Sequence, residues 1–272
     1  MSDSDHLLLV DAGNTRVKWA VWTTSTRAWS QYGAAETRSV AAGGGATTGL
    51  ASMFTSTLAS VGEVVVSNVA GAEVEAALRR LAGSVPMRVI RSTANCGGVR
   101  NQYDDPAQLG ADRFAALIGA NAIADLADRA KLVVVAGTAV TIDALTADGV
   151  FLGGAILPGP DMMRRALNRE TAQLPLGGAS AMPDVFARST TDAIAAGIRD
   201  AVTGAVMVGA KRLARKSTPQ EDVCLVVSGG AAAWLVAALA SCAPSLAATI
   251  TMREHLVLDG LQLIAATKPF LE

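Results

Sequence analysis

The chain has 272 residues, 51% of them apolar and 17% charged, a balance that excludes a disordered polymer and supplies one large or two modest cores. Its 23 basic and 24 acidic residues leave a net charge of −1, and no basic block occurs, so there is no electrostatic case for binding DNA or RNA. Cys96, Cys224 and Cys242 match neither a zinc spacing nor a disulfide framework and read as reduced thiols of a cytoplasmic protein. The two histidines, His6 and His255, are too few for a metal centre built on several His, and His6 is expected on a mobile terminus.

The N-terminus carries Asp3 and Asp5 rather than the basic start of a signal peptide. Residues 7–10, Leu-Leu-Leu-Val, predict a buried central strand. Asp11 to Thr15 form a tight turn, and the alternation of Val17, Trp19 and Val21 predicts a second strand. Residues 33–50 read as a loop, 64–66 as a strand, 72–82 as a helix and 87–90 as a strand. Residues 92–110 read as loop with a short turn, and 112–130 as strongly helical. Residues 132–135 and 140–144 predict two more strands around an Ala136-Gly137-Thr138 turn. Residues 153–159 predict a strand punctuated by glycine. Helices are expected at 162–168 and 192–213, a strand at 225–227, and a final helix over 256–267. The uncharged stretch 231–250 approaches membrane-span length, but Pro244 breaks it, so it predicts a buried helix, a turn and a strand rather than a span.

The two strand–turn–strand segments resemble one another. Val10-Asp11-Ala12-Gly13-Asn14-Thr15 aligns with Val134-Val135-Ala136-Gly137-Thr138 after deletion of one residue. The pattern predicts an internal duplication, with domains of 1–115 and 116–272 around a cleft that is the natural ligand site. The final helix is free to pack back on the first half.

No Walker, Rossmann or protein-kinase signature occurs, so any phosphate must be bound by other loops. The turns at Gly13-Asn14-Thr15 and Gly137-Thr138 suit that task, because glycine lets backbone N–H groups approach phosphate oxygens and Thr adds a hydroxyl. Asp11 has two readings, a turn-forming Asx residue or a carboxylate that holds Mg2+. Asp112 also has two, an acid that stabilises a helix N-terminus or a catalytic carboxylate beside Arg113.

Four motifs occur in order: Asp11-Ala12-Gly13-Asn14-Thr15, Gly110-Ala111-Asp112-Arg113, Gly137-Thr138-Ala139-Val140-Thr141, and Gly153-Gly154-Ala155-Ile156-Leu157-Pro158-Gly159. Together they resemble the type III pantothenate kinases, and Ser228-Gly229-Gly230 extends the match. The resemblance implies an α/β fold of the duplicated actin-like, ribonuclease H-like ATPase class. It also implies phosphorylation of pantothenate with ATP and Mg2+, in a cytoplasmic homodimer with no nucleic acid or membrane partner. It places ATP on Asp11, Ala12, Gly13, Asn14, Thr15, Arg16, Val17 and Lys18 and on Thr138, with Asp11 serving Mg2+. It makes Asp112 the general base and Tyr103, Gly110, Ala111, Asp112, Arg113 and Thr190 the pantothenate contacts, and it sets Ser228-Gly229-Gly230 against the adenosine. One departure stands out. Many members carry an Asp where this chain has Val135, so a K+ or NH4+ requirement is in doubt here. Two other readings remain: a different small-molecule kinase of the superfamily, or a nucleotide-binding regulatory protein.

Overall fold

The computed structural model describes residues 5–42, 60–176, 186–217 and 223–267. The chain divides into two units, Met1–Gly119 with Leu256–Glu272, and Ala120–His255.

In the first unit, the apolar run after His6 forms β1 (His6–Ala12). The three-residue turn that follows is short enough only for an antiparallel neighbour, β2 (Arg16–Thr23). Next come β3 (Ala28–Glu36), helix α1 (Thr37–Ala41), β4 (Val61–Asn68), helix α2 (Ala72–Ala82) and β5 (Met87–Val89). The sheet order is β3-β2-β1-β4-β5, with β4 parallel to both β1 and β5. Period-two alternation sorts the side chains. Leu8, Val10, Val17, Trp19, Val64 and Val66 pack with Val74, Ala77 and Leu78 of α2 in one core. Leu9, Asp11, Val65 and Ser67 therefore point to the opposite face. A hairpin of β6 (Asn95–Cys96) and β7 (Val99–Asn101) precedes a 3-10 turn (Pro106–Gln108) and helix α3 (Ala111–Asn121). Helix α8 (Leu256–Ala266) packs on β1, β2 and β4. It meets α3 backbone to backbone: a Cβ on Gly260 would fall 1.8 Å from the carbonyl oxygen of Ala115, so only glycine fits.

The second unit repeats the pattern with β8 (Lys131–Ala136), β9 (Ala139–Leu145), β10 (Val150–Pro158), helix α4 (Pro160–Glu170), helix α5 (Thr190–Ala214), β11 (Cys224–Ser228), helices α6 (Ala232–Cys242) and α7 (Pro244–Ala247), and β12 (Ile250–Met252). Its strands run β12-β11-β8-β9-β10. β8 is antiparallel to β9 and parallel to β11, as β1 is to β2 and β4. Leu132, Val134, Val140 and Ile142 pack with Val202 and Val206 of α5 and Leu235 and Leu239 of α6.

The internal repeat extends to single hydrogen bonds. The N–H of Val69 donates to Ala12 O at 3.0 Å, and that of Ala231 to Ala136 O at 2.9 Å. The first turn closes from Gly13 N–H to Arg16 O, and the second from Gly137 N–H to Ala139 O, shorter by the one deleted residue. Asp11 lies between Lys18 and Ser67 in register; its counterpart Val135 lies between Thr141 and Ser228.

Several expectations need correction. Residues 28–36 form β3, and α1 follows it, where a loop was expected from 33; residues 43–50 lie outside the described part. β3 is an edge strand with mostly exposed residues, so it lacks the apolar alternation that marks a strand. The helix expected over 112–130 spans Ala111–Asn121, because Ile123 and Leu126 turn inward as the chain heads into β8. A hairpin occupies part of the loop expected over 92–110. His6 belongs to β1, where its Nδ1 pairs with Thr23 Oγ1 at 3.0 Å, so it is not on a mobile end. Among the described residues, the one helix long and apolar enough to cross a membrane is α5. The stretch 231–250 folds as α6, then the short helix α7 where a turn was expected, since Pro244 suits the first position of a new helix, and then enters β12.

Candidate active site

Asp11 stands one residue before the end of β1, where the sheet gives way to the Gly13-Asn14-Thr15 turn. Its Oδ1 is fully buried and without a hydrogen-bond partner. Burial, and then the charge of Asp112, push its pKa up to about 7, against the pull of Lys18 on the adjacent strand. The turn itself is solvent-exposed from Asn14 to Arg16 and is held from behind by α1. Thr37 donates its hydroxyl to Gly13 O at 2.6 Å and its N–H to Thr15 O at 3.0 Å. Ala12 and Val17 flank the turn with their side chains in the core, so only their backbone can meet a ligand.

Asp112 sits in the first turn of α3, and its Oδ1 accepts the N–H of Arg113 at 2.8 Å. Burial raises its pKa, opposed by that N–H and by the Arg113 guanidinium. Gly110 makes room for the carboxylate, since a Cβ there would lie 2.7 Å from Oδ1 of Asp112. Arg113 is 6% exposed; its Nη1 donates to the Tyr103 hydroxyl at 3.0 Å, and its guanidinium carbon lies 5.7 Å from the ring centroid. Tyr103 is fixed in turn by Asn101, whose Oδ1 accepts the Tyr103 N–H at 3.0 Å. The Asn101 amide also donates to Ser92 Oγ and to Pro106 O, both at 3.1 Å. Sequence reading missed Asn101, because its role is set by what the loop folds against. The first unit thus brings together Asp11, Lys18, Tyr103 and Gly110 to Arg113.

Thr138 and Thr190 belong to the second unit. The Gly137-Thr138 turn is clamped by two glycines. Gly159 donates its N–H to Thr138 O at 2.8 Å, and a Cβ on it would fall 2.1 Å from Gly137 O. Gly229, at φ +99°, leaves no space either, since its Cβ would lie 2.3 Å from Ala136 O. The last residue of the Gly153–Gly159 motif and the middle of Ser228-Gly229-Gly230 therefore shape this loop by close backbone approach. Thr190 is the first residue of α5. The cap is Ser189, whose Oγ accepts the Asp192 N–H at 3.1 Å, so capping is not the task of Thr190. Thr190 instead opens on an apolar cavity of about 580 Å3 lined by residues of α4 and α5 such as Met163, Leu167, Ile194 and Ile198.

Among the described residues no group of three or more His, Cys, Asp or Glu gathers to cage a metal. One buried carboxylate oxygen with an open valence suits a cation that keeps most of its water and takes phosphate oxygens, the habit of Mg2+.

Residues 7–212 match the sequence model of a family described as type III pantothenate kinase. A type III pantothenate kinase of Herminiimonas arsenicoxydans is 41% identical, over 95% of this chain and 97% of its own. One of Aromatoleum aromaticum is 43% identical with the same coverage. Among solved structures, a Campylobacter jejuni protein assigned to the Baf family of transcriptional activators superposes with TM-score 0.57 at 19% identity. It covers 94% of this chain and 96% of its own. The acetate kinase of Porphyromonas gingivalis superposes with TM-score 0.55 at 10% identity, covering 97% of this chain and 100% of its own. At these identities the solved structures speak for the fold alone, an α/β fold with mixed sheets shared with that acetate kinase.

Proposed function

The chain belongs to the type III pantothenate kinase family and phosphorylates pantothenate with ATP for coenzyme A biosynthesis, and we propose that Asp112 is the general base of that transfer. The observation that carries the assignment is a half-buried carboxylate in the first turn of a helix, its pKa raised by desolvation, with Arg113 beside it anchored on Tyr103. Phosphoryl transfer needs an in-line hydroxyl, an acceptor for its proton, and positive charge over the transferred group. A carboxylate lifted above its ordinary range takes a hydroxyl proton more readily than a solvated one. In this reading Asp112 accepts the proton of the pantothenate hydroxyl. Arg113 offers its planar donors to the substrate carboxylate or the phosphoryl oxygens, and Tyr103 fixes the guanidinium plane.

The turn from Gly13 to Arg16, exposed from Asn14 onward and with Lys18 behind it, receives ATP phosphates through backbone N–H groups, and Thr138 serves a second nucleotide loop. The reaction uses a divalent cation such as Mg2+ with its ATP. Asp11 is the residue that would hold this ion, directly or through water, and the ion would neutralise charge on the phosphates. Val135, the counterpart of Asp11, has no oxygen to offer a monovalent cation, which supports a weak or absent K+ or NH4+ requirement. Three free cysteines agree with a cytoplasmic setting. Helix α5 leaves Ala193, Gly197, Ala201 and Val208 exposed along one side, which supports a homodimer through this helix with Thr190 of one subunit serving the pantothenate of the other. ADP release measured with and without pantothenate tests the activity; ATP turnover indifferent to pantothenate refutes it.

A further inference from the structure

Ser67 has no part in the assignments above, yet its environment is unusual. It lies near the end of β4, is fully inaccessible, and its Oγ is buried without a hydrogen-bond partner. An unpartnered buried hydroxyl costs free energy, and serine on a buried strand normally finds a carbonyl or a neighbouring side chain. Oδ1 of Asp11 shares this condition, and Asp11 is the residue paired with Ser67 across the parallel ladder. Residues paired in this way project to the same face from strands about 4.8 Å apart. Two buried oxygens are therefore set side by side, one on a carboxylate and one on a hydroxyl, and neither bonds to the other. On the same face the preceding residues, Leu9 and Val65, are apolar and fully buried, so they offer neither oxygen a side-chain partner. A shared third body satisfies both atoms at once, and a water molecule held by two to four polar groups is the smallest that does.

We propose that Ser67 is a positioning residue of the phosphoryl-transfer site, its hydroxyl and the Asp11 carboxylate together holding a water of the Mg2+ that accompanies ATP. The inference rests on the assignment of Asp11 to that cation. Ser67 touches no reacting atom; it fixes the orientation of a group that does. Partners of this kind typically change metal affinity by about 10- to 100-fold when removed.

The test is Mn2+ binding in the presence of ADP, read by electron paramagnetic resonance without turnover, on the full chain and on Ser67→Ala and Asp11→Asn. Thermal unfolding in EDTA is measured in parallel. Ser67→Ala should weaken Mn2+ binding about tenfold, and leave the unfolding temperature in EDTA unchanged or raised. Normal Mn2+ affinity in Ser67→Ala, beside weakened binding in Asp11→Asn, overturns the role of Ser67 and leaves that of Asp11 standing. Normal affinity in Asp11→Asn overturns the reading on which the proposal rests. If Ser67→Ala is destabilised in EDTA, Ser67→Cys, which fills the position with a slightly larger, poorly hydrogen-bonding atom, decides. Normal Mn2+ affinity there refutes the positioning role, and a tenfold loss supports it.

Discussion

Gly110→Ala isolates the placement of Asp112 from its chemistry. A methyl group at residue 110 would lie 2.7 Å from Asp112 Oδ1, whereas real contacts of this kind essentially never fall under 3.0 Å. The carboxylate must therefore retreat by at least 0.3 Å, and by 0.7 Å to reach ordinary contact at 3.4 Å. Moving Oδ1 weakens its bond to the Arg113 N–H, now 2.8 Å long. Gly110 does not have the positive φ that alanine resists, so the backbone tolerates the change. Losing a hydrogen bond costs about 0.5–1.5 kcal/mol, while replacing glycine at a compatible site returns about 0.4–1 kcal/mol through the unfolded chain. Net stability should stay within about 1 kcal/mol of the parent. Catalysis is less forgiving, since a misplacement of about 1 Å can cost about 100-fold. The expected result is a fall in kcat of about ten- to hundredfold with a nearly unchanged Tm. Coupled ADP release and thermal unfolding measure the two quantities. A variant with parental kcat refutes the argument that the position of this carboxylate limits the reaction; a large loss of Tm refutes the claim that the clash is absorbed by one side chain.

Asp112→Asn should bind pantothenate but turn over about 100- to 10,000-fold more slowly, and near-normal single-turnover rates remove Asp112 from the mechanism. Asp11 gives a pH signature in the metal-free protein. Its pKa is raised from 3.8 to about 7, so its contribution to stability is complete below the unfolded value and is lost as pH rises through about 7. Stability in EDTA should therefore fall between pH 5 and 7 by at most about 1.4 kcal/mol per unit from this group. Asp11→Asn should flatten that slope in urea titrations; an unchanged slope contradicts the assignment. Turnover at fixed ionic strength should rise little when K+ replaces Na+, and a large saturable rise shows that a group other than Val135 supplies a cation site. Mixing Asp112→Asn with Thr190→Arg subunits should restore part of the activity if the pocket is shared between subunits, whereas an active monomer in sedimentation defeats that idea.

The sequence by itself determined the features that depend on local chemistry. An apolar run ending in Asp11, a glycine turn and a second alternating strand can hardly fold otherwise, and the same pattern at Val134 to Thr138 disclosed the repeat. Composition alone outlined α2 over Ala72–Ala82, and Pro244 was enough to end α6. Asp112 and Arg113 were visible as a carboxylate and a guanidinium at a helix start, but the residues alone left Asp112 open between a helix-stabilising acid and a catalytic one. Tertiary structure decided the rest. β3 is a strand because β2 offers it a free edge, not because its side chains alternate. α3 stops at Asn121 although no glycine or proline follows within nine residues, because Ile123 and Leu126 find burial along a different path. Gly159 and Gly229 are glycine because the 136–138 backbone passes within a bond length or two of where their Cβ would stand, a closeness that strands distant in sequence create. Asn101 and Ser67 are ordinary polar residues in the sequence. Their significance lies in which loop one of them ties down and which buried carboxylate stands beside the other. Local pattern is blind to both, because hydrogen-bond partners and burial are properties of the folded chain.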